Sequence, residues 1–274
     1  MSKKNICVGS VQFNALSNMP GSNLEIAMDS VDTLVNKGTK LILLPEMFNS
    51  GYSSDKNTID VAVEMYEETI ETLSALSDYN DVVIVAGMIR KVKKGFANSS
   101  AVFKPYEEPI FYDKIHLFRK EKESFIAGNK PLSFSFNGIS FGIVMCYEVG
   151  FPELSRILVR EGAEVLLMPF AFGKERYRIY DIATRSRALE NGIFVVTSSQ
   201  SGECKEMELL GQSRIVSPSG EVVESLGTGE GIMWSTLDID VEKHYRYEEI
   251  GDSHAYFANI KDDIYTLKLN RENP

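Results

Sequence analysis

The sequence predicts an α/β fold in which two sheets pack between helical layers, on three observations. Short all-apolar runs with strand composition recur along the chain. Stretches with a 3.6-residue apolar period lie between some of them. Hairpin signals break that alternation, which argues against a (β/α)8 barrel and for packed sheets.

The elements follow in order. ICVGSVQFN at 5–13 reads as a strand. Leu24, Ala27, Met28, Val31, Leu34 and Val35 form one helical stripe, and Gly38 stands where such a helix would be capped. KLILLP at 40–45 has the composition of a strand buried on both faces. A second helix is expected over 59–77, then the strand VVIVAGMIRK. FANSSAVFK and EPIFYDK read as two more strands joined by a polar turn. SFSFNGISFGIVMC is a hairpin turning at Asn137-Gly138, a strong type I′ signal. A helix from Pro152, the strand EVLLMPF, a helix over about 175–190 ending near Gly192, and the strand IFVVTSSQ follow. The rest is β again: LLGQSRIVSPSGEVVESL turning at Pro218-Ser219-Gly220, then GIMWSTLDID. No Pro/Gly/Ser linker divides the pattern, so a single domain over 1–274 is expected, with a tail from about 240.

Bulk properties narrow the function. Of the 274 residues 43% are hydrophobic and 25% charged, ordinary values for a globular chain. A net charge of -10 argues against nucleic acid or an anionic membrane as the main partner. The opening MSKKNICVGSVQF has no signal-peptide core, and no apolar run reaches the roughly 18 residues a membrane span requires. Cys7, Cys146 and Cys204 are odd in number and form no CxxC pair, which fits a reducing cytoplasm better than a disulfide framework.

Three segments place a reactive side chain at the C-terminal end of an apolar strand: LILLPE (Glu46), PIFYDK (Lys114) and GIVMC (Cys146). That edge of the sheet is where ligands bind in α/β proteins. Singly, each has an ordinary reading: an inert core thiol, a loop carboxylate, a solvated lysine. Together they supply a nucleophile, a base for its proton and a cation for an oxyanion. A helix opening at Pro152 is expected to favour the thiolate.

LLPEMF, YDKIHLF and VMCYEVGFPE, in that order, resemble the nitrilase superfamily of carbon–nitrogen hydrolases, marked by a Glu–Lys–Cys triad. The resemblance extends through VGSVQFN, ANSSAVF, ATRSRALEN with GIFVV, and SRIVSPSGEVV. It implies a four-layer α-β-β-α sandwich that pairs into at least a dimer, and it needs no cofactor or metal. It makes Glu46 the general base, Lys114 the oxyanion partner and Cys146 the nucleophile. A second glutamate is implied before Gly128, with Glu121 favoured over Glu123, and Tyr147 and Phe170 are expected to line the pocket. His116 is read as structural. Branches that remove an amide beside a carboxylate commonly carry an arginine where this chain has Gly150, which leaves any anion-binding residue unassigned. True nitrilases commonly carry a tryptophan after the nucleophile. Here that residue is Tyr147 and the one tryptophan is Trp234, which favours small amides over nitriles.

The competing classes fit less well. A Cys–His–Glu enzyme would have to recruit His244 or His254, neither at a strand end. A paired-carboxylate glycosidase leaves Cys146 and Lys114 without roles. No His/Asp/Glu cluster has metal-ligand spacing and no phosphate-cradling glycine loop occurs. N-acyl transfer and a non-catalytic binding protein on the same fold are the remaining alternatives.

Overall fold

The computed structural model describes residues 3–205, 207–264 and 267. Its first sheet is built from β1 (Asn5–Gln12), β2 (Leu41–Leu43), β3 (Val83–Val92), β4 (Gly95–Phe103), β5 (Ile110–Asp113) and, from the far end of the chain, β14 (Gly231–Asp238), in the order β14-β1-β2-β3-β4-β5. The second contains β6 (Ser133–Phe136), β7 (Ile139–Ile143), β8 (Val165–Phe170), β9 (Phe194–Ser199), β12 (Arg214–Val216) and β13 (Val222–Ser225), in the order β13-β12-β9-β8-β7-β6. A short hairpin, β10 (Ser201–Cys204) with β11 (Met207–Leu210), stands apart.

The two large sheets share a plan. Each has three parallel strands at its centre, β1-β2-β3 and β7-β8-β9, flanked by antiparallel strands. Parallel strands require crossovers, and the helices α1 (Pro20–Val35), α2 (Lys56–Glu64) with α3 (Tyr66–Asn80), α5 (Pro152–Arg160) and α6 (Tyr177–Leu189) supply them. Alternate side chains of each sheet then face opposite cores. Val8, Leu41, Leu43, Val83 and Val85 meet Phe141, Val165, Leu167 and Val196 between the sheets. Leu24, Val31 and Leu34 of α1 cover the outer face of the first sheet, and Leu154, Leu158 and Tyr180 cover that of the second. The result is the expected four-layer α-β-β-α sandwich.

Local expectations held where turn chemistry was explicit. Asn137 and Gly138 both take positive φ, 50° and 74°, joining β6 to β7 by the two-residue turn their sequence requires. The Pro218–Gly220 turn joins β12 to β13. The helix expected over 59–77 is instead two, α2 (Lys56–Glu64), capped by the Asp55 side chain, and α3 (Tyr66–Asn80), which break at Met65. No glycine or proline marks that break. The β10–β11 hairpin and the helices α4 (Glu121–Ser124) and α7 (Glu242–Tyr247) also lay outside the expectation.

Candidate active site

The two sheets aim their strand ends at one place. β2 runs out at Leu43, and Glu46 follows with no exposed surface. Its segment lies against β3 so closely that a Cβ on Gly87 would stand 2.4 Å from Glu46 Cα, so only glycine fits there. Lys114 follows β5 directly, its N–H bonded to Asn98 O at 2.9 Å. The returning loop passes over it: Gly128 donates to Lys114 O at 3.0 Å, and a Cβ at that glycine would meet Asp113 O at 2.0 Å. Cys146 follows β7 from the other sheet and opens a 3-10 turn, Cys146–Gly150. Its φ of 46° lies in the left-handed region, a sparsely populated conformation for a residue with a side chain.

Lys114 Nζ reaches Glu46 Oε1 at 2.7 Å and both oxygens of Glu121, at 3.1 and 3.0 Å. Asn98 Nδ2 donates to Glu46 Oε1 at 2.7 Å and, more weakly, to Glu121 Oε1 at 3.4 Å. Glu121 also accepts from the Tyr52 hydroxyl at 2.7 Å and from the Phe118 N–H at 2.8 Å. Glu46 Oε2 is buried and has no hydrogen-bond partner.

The charges bear on one another. Burial raises the Glu46 carboxyl, opposed by Lys114 and reinforced by Glu121, while the Cys146 thiol is among the groups favouring its ionised form. Burial works to lower the Lys114 ammonium, but Glu46 and Glu121 outweigh it and hold the group raised and charged. Burial, with Glu46 next, pushes the Cys146 thiol well above its ordinary value. The thiolate that a nearby helix end was expected to favour is therefore not the resting form. Desolvation and the adjacent carboxylates disfavour the thiolate, and the thiol must surrender its proton as it reacts.

Cys146 lies in a cavity of about 270 Å³ lined by Tyr52, Phe118, Tyr147, Ala171, Phe172 and Met207 among others. Tyr147 is thus where the sequence led one to look, and Phe170 is not. Still inside β8, Phe170 is fully buried against Phe172 and Tyr180 in the helix-side core, and the cavity begins only past the strand end, at Ala171 and Phe172. Glu121 is 2% exposed in the cluster, whereas Glu123 faces solvent. His116 stacks on Phe151 at 3.9 Å, outside this cavity. His244 is held at the surface by Glu248 and Asp252, and His254 stacks on Tyr256. Asn98, Tyr52, Arg119 and Arg176 were missed. Asn98 alone left a signal, an amide in an otherwise small and apolar strand.

A carboxylate–ammonium–carboxylate cluster beside a buried thiol, at the facing strand ends of a two-sheet sandwich, defines a cysteine-dependent hydrolase class. The carbon–nitrogen hydrolase family model matches residues 7–247. The chain belongs to the carbon–nitrogen hydrolase family. It is 28% identical to the human omega-amidase NIT2, over 93% of this chain and 95% of that protein. It is 30% identical to a nitrilase of Pyrococcus abyssi, over 94% and 98%. An amidase from Nesterenkonia sp. has the same fold, with a TM-score of 0.84 over 96% of both chains at 22% identity.

Proposed function

We propose that this protein hydrolyses the C–N bond of small amides through a Cys146 thioester. The observation that carries the reading is the buried Cys146 thiol set between an apolar cavity and the Glu46–Lys114–Glu121 cluster. Glu46, with one oxygen free of hydrogen bonds, takes the thiol proton as sulfur attacks the amide carbon. Lys114 and a backbone N–H beside Cys146 hold the oxyanion. Glu46 returns the proton to nitrogen, the C–N bond breaks and ammonia or an amine leaves. Water, deprotonated by Glu46, then cleaves the thioester to the acid and restores the thiol. Glu121 keeps Lys114 in place and, with Tyr52, borders the incoming amide.

Amides are favoured over nitriles because Tyr147 follows the nucleophile and Trp234 stands on β14, 41% exposed. In a glutamate-to-glutamine mutant of the Nesterenkonia amidase the acetamide moiety of fluoroacetamide is added covalently at the active-site cysteine, which supports a cysteine nucleophile here. The same reading takes the chain as one catalytic domain with its tail from about 240. It sets that domain in the cytoplasm, consistent with three free cysteines. Pairing into a homodimer is supported by Ile179, Ile182 and Leu189, apolar and exposed on α6. Among the described residues no helix is long and apolar enough to cross a membrane.

The test is ammonia release over aliphatic amides, ω-amides, N-carbamoyl amines and matched nitriles, with Cys146→Ala as control. Amide turnover that vanishes in Cys146→Ala is expected. A nitrile with kcat/KM above that of its matching amide would overturn the assignment.

A further inference from the structure

The segment carrying Glu46 is clamped from both sheets. Its own sheet holds it at Gly87, whose N–H donates to Pro45 O at 3.2 Å and whose O accepts from the Phe48 N–H at 2.9 Å. The other sheet holds it through Gln200, the residue that follows β9. Gln200 Nε2 donates to Glu46 O at 2.6 Å and to Met47 O at 3.2 Å. Two carbonyl oxygens can face only the nitrogen of an amide, so these partners fix which way the side chain points. Gln200 has no exposed surface, and its Oε1 is buried without a hydrogen-bond partner. An unpaired oxygen in the interior is destabilising, and the two donated bonds are what the position gains in exchange. The bonded carbonyls belong to the two peptides that flank Met47 Cα, and Met47 takes φ 49°, a strained value for a residue with a side chain. Gln200 therefore holds in place a turn that its own backbone preference would not keep.

The main chain of Gln200 leads to the nucleophile. Its N–H donates to Phe170 O at 3.0 Å, at the end of β8. Ala171 comes next, lines the cavity, and hydrogen-bonds the Cys146 thiol through its main chain. The Gly211 N–H donates to Gln200 O at 3.0 Å, and the Ser201 N–H donates to Phe13 O at 3.1 Å, so the backbone is anchored on both sides of the residue. One side chain thus joins the carbonyl of the base to the segment that backs the thiol.

We infer that Gln200 is a positioning residue for the reaction, a strut between the sheets that sets the separation of the Glu46 carboxylate from the Cys146 thiol. The inference rests on the hydrolase reading, in which Glu46 takes the thiol proton. A base must stand within about 2.6–3.2 Å of the group it deprotonates, and misplacement by about 1 Å can cost about 100-fold in rate. Gln200 does not line the cavity, so it acts through the Glu46 main chain and not on the substrate.

The probe is iodoacetamide, which reports proton loss from Cys146 without any amide being turned over. Gln200→Met keeps the length of the side chain and removes the donor. It is expected to slow alkylation of Cys146 at neutral pH about tenfold or more, and to lower kcat for the best amide as much while KM stays within about twofold. Gln12→Met is the control for general loosening. Gln12 is also buried, at the end of β1, but its amide bonds Gly227 O and the Ser213 N–H, at 2.7 Å each, and no part of the catalytic cluster. That variant should lose stability and keep the wild-type alkylation rate. Glu46→Gln, run alongside, separates the strut from the reading it rests on. If Glu46→Gln alkylates as fast as wild type, the base assignment fails and takes the strut with it. If Glu46→Gln is slow while Gln200→Met matches wild type, the strut alone is overturned. An equal loss in Gln200→Met and Gln12→Met overturns it too. Should Gln200→Met not fold, Gln200→Asn keeps the amide but withdraws it by one carbon. A loss of about tenfold in that variant upholds the strut, and wild-type alkylation overturns it.

Discussion

Two buried carboxylate clusters meet along residues 112–116, and they are built on opposite principles. Glu46 and Glu121 share the Lys114 ammonium, and one Glu46 oxygen is left without a hydrogen bond. Glu148, equally buried, accepts from the Tyr112 hydroxyl at 2.8 Å, from the N–H groups of Ile115 and His116 at 2.8 and 3.0 Å, and from that of Met145 at 2.9 Å. Both of its oxygens are used, and backbone amides do most of the work. The difference separates chemistry from scaffolding. A carboxylate that must take and return a proton keeps an oxygen free, and one that fixes geometry is saturated. Glu148 ties the segment carrying Lys114 to the residue before Cys146, so it sets the distance between ammonium and thiol.

The largest effects are expected in the first cluster. Glu46→Gln should lower kcat by about 10³-fold or more, within the range of general acid–base catalysis, while the fold survives because Asn98 and Lys114 can still donate to the amide oxygen. Lys114→Ala should be equally inactive, but for a second reason it should also be unstable. Removing the ammonium leaves two buried carboxylates uncompensated, a loss of about 3–5 kcal/mol. Urea unfolding alongside ammonia release separates the two variants. A Lys114→Ala protein as stable as wild type would mean that the cluster is not held by charge pairing.

Glu148→Gln tests the scaffold. The amide nitrogen would face N–H donors, leaving one of them unsatisfied, at about 1–3 kcal/mol. The expected pattern inverts that of Glu46→Gln: a lowered unfolding midpoint with activity reduced only several-fold. A catalytic loss as deep as that of Glu46→Gln, with stability unchanged, would remove the distinction between the clusters.

The sequence shows the first cluster far better than the second. Glu46, Lys114 and Cys146 each end an apolar strand, a pattern visible in one dimension, and the strand ends carried the sheets with them. Glu148 sits two residues from Cys146 in plain view, yet apart from the Tyr112 hydroxyl its partners are backbone groups of residues 115, 116 and 145, which no side-chain pattern announces. Arg119 and Arg176, which also line the cavity, were hidden for a related reason, since only the fold brings both to the Phe118 ring. The β10–β11 hairpin escaped because SGECKEMELL mixes charge into its strands and has no strong turn pair. Phe170 misled because a residue at the end of a strand can still face the core.

A fourth buried glutamate sharpens the comparison with the smallest expected effect on activity. Glu242, at the start of α7, has neither a close cation nor a set of amides: Arg246 stands 3.7 Å away and the Phe194 N–H 3.4 Å. Burial, only partly offset by Arg246 and Lys4 and reinforced by Glu164, pushes its carboxyl up to about 9. At neutral pH the folded protein therefore holds it protonated. A carboxyl raised in this way contributes fully below its unfolded value, near 4.5, and its contribution falls as pH rises through about 9. Glutamine mimics the protonated form, so Glu242→Gln should match wild type in thermal unfolding near pH 5. It should then gain on it steadily toward pH 9, by about ten degrees in Tm, since each pH unit between the two values costs the wild type about 1.4 kcal/mol. Activity against the best amide should follow wild type throughout, because the residue lies outside the cavity that holds Cys146. A Tm difference that stays flat with pH would mean that Glu242 is ionised in the fold and belongs with the carboxylates whose charge is satisfied.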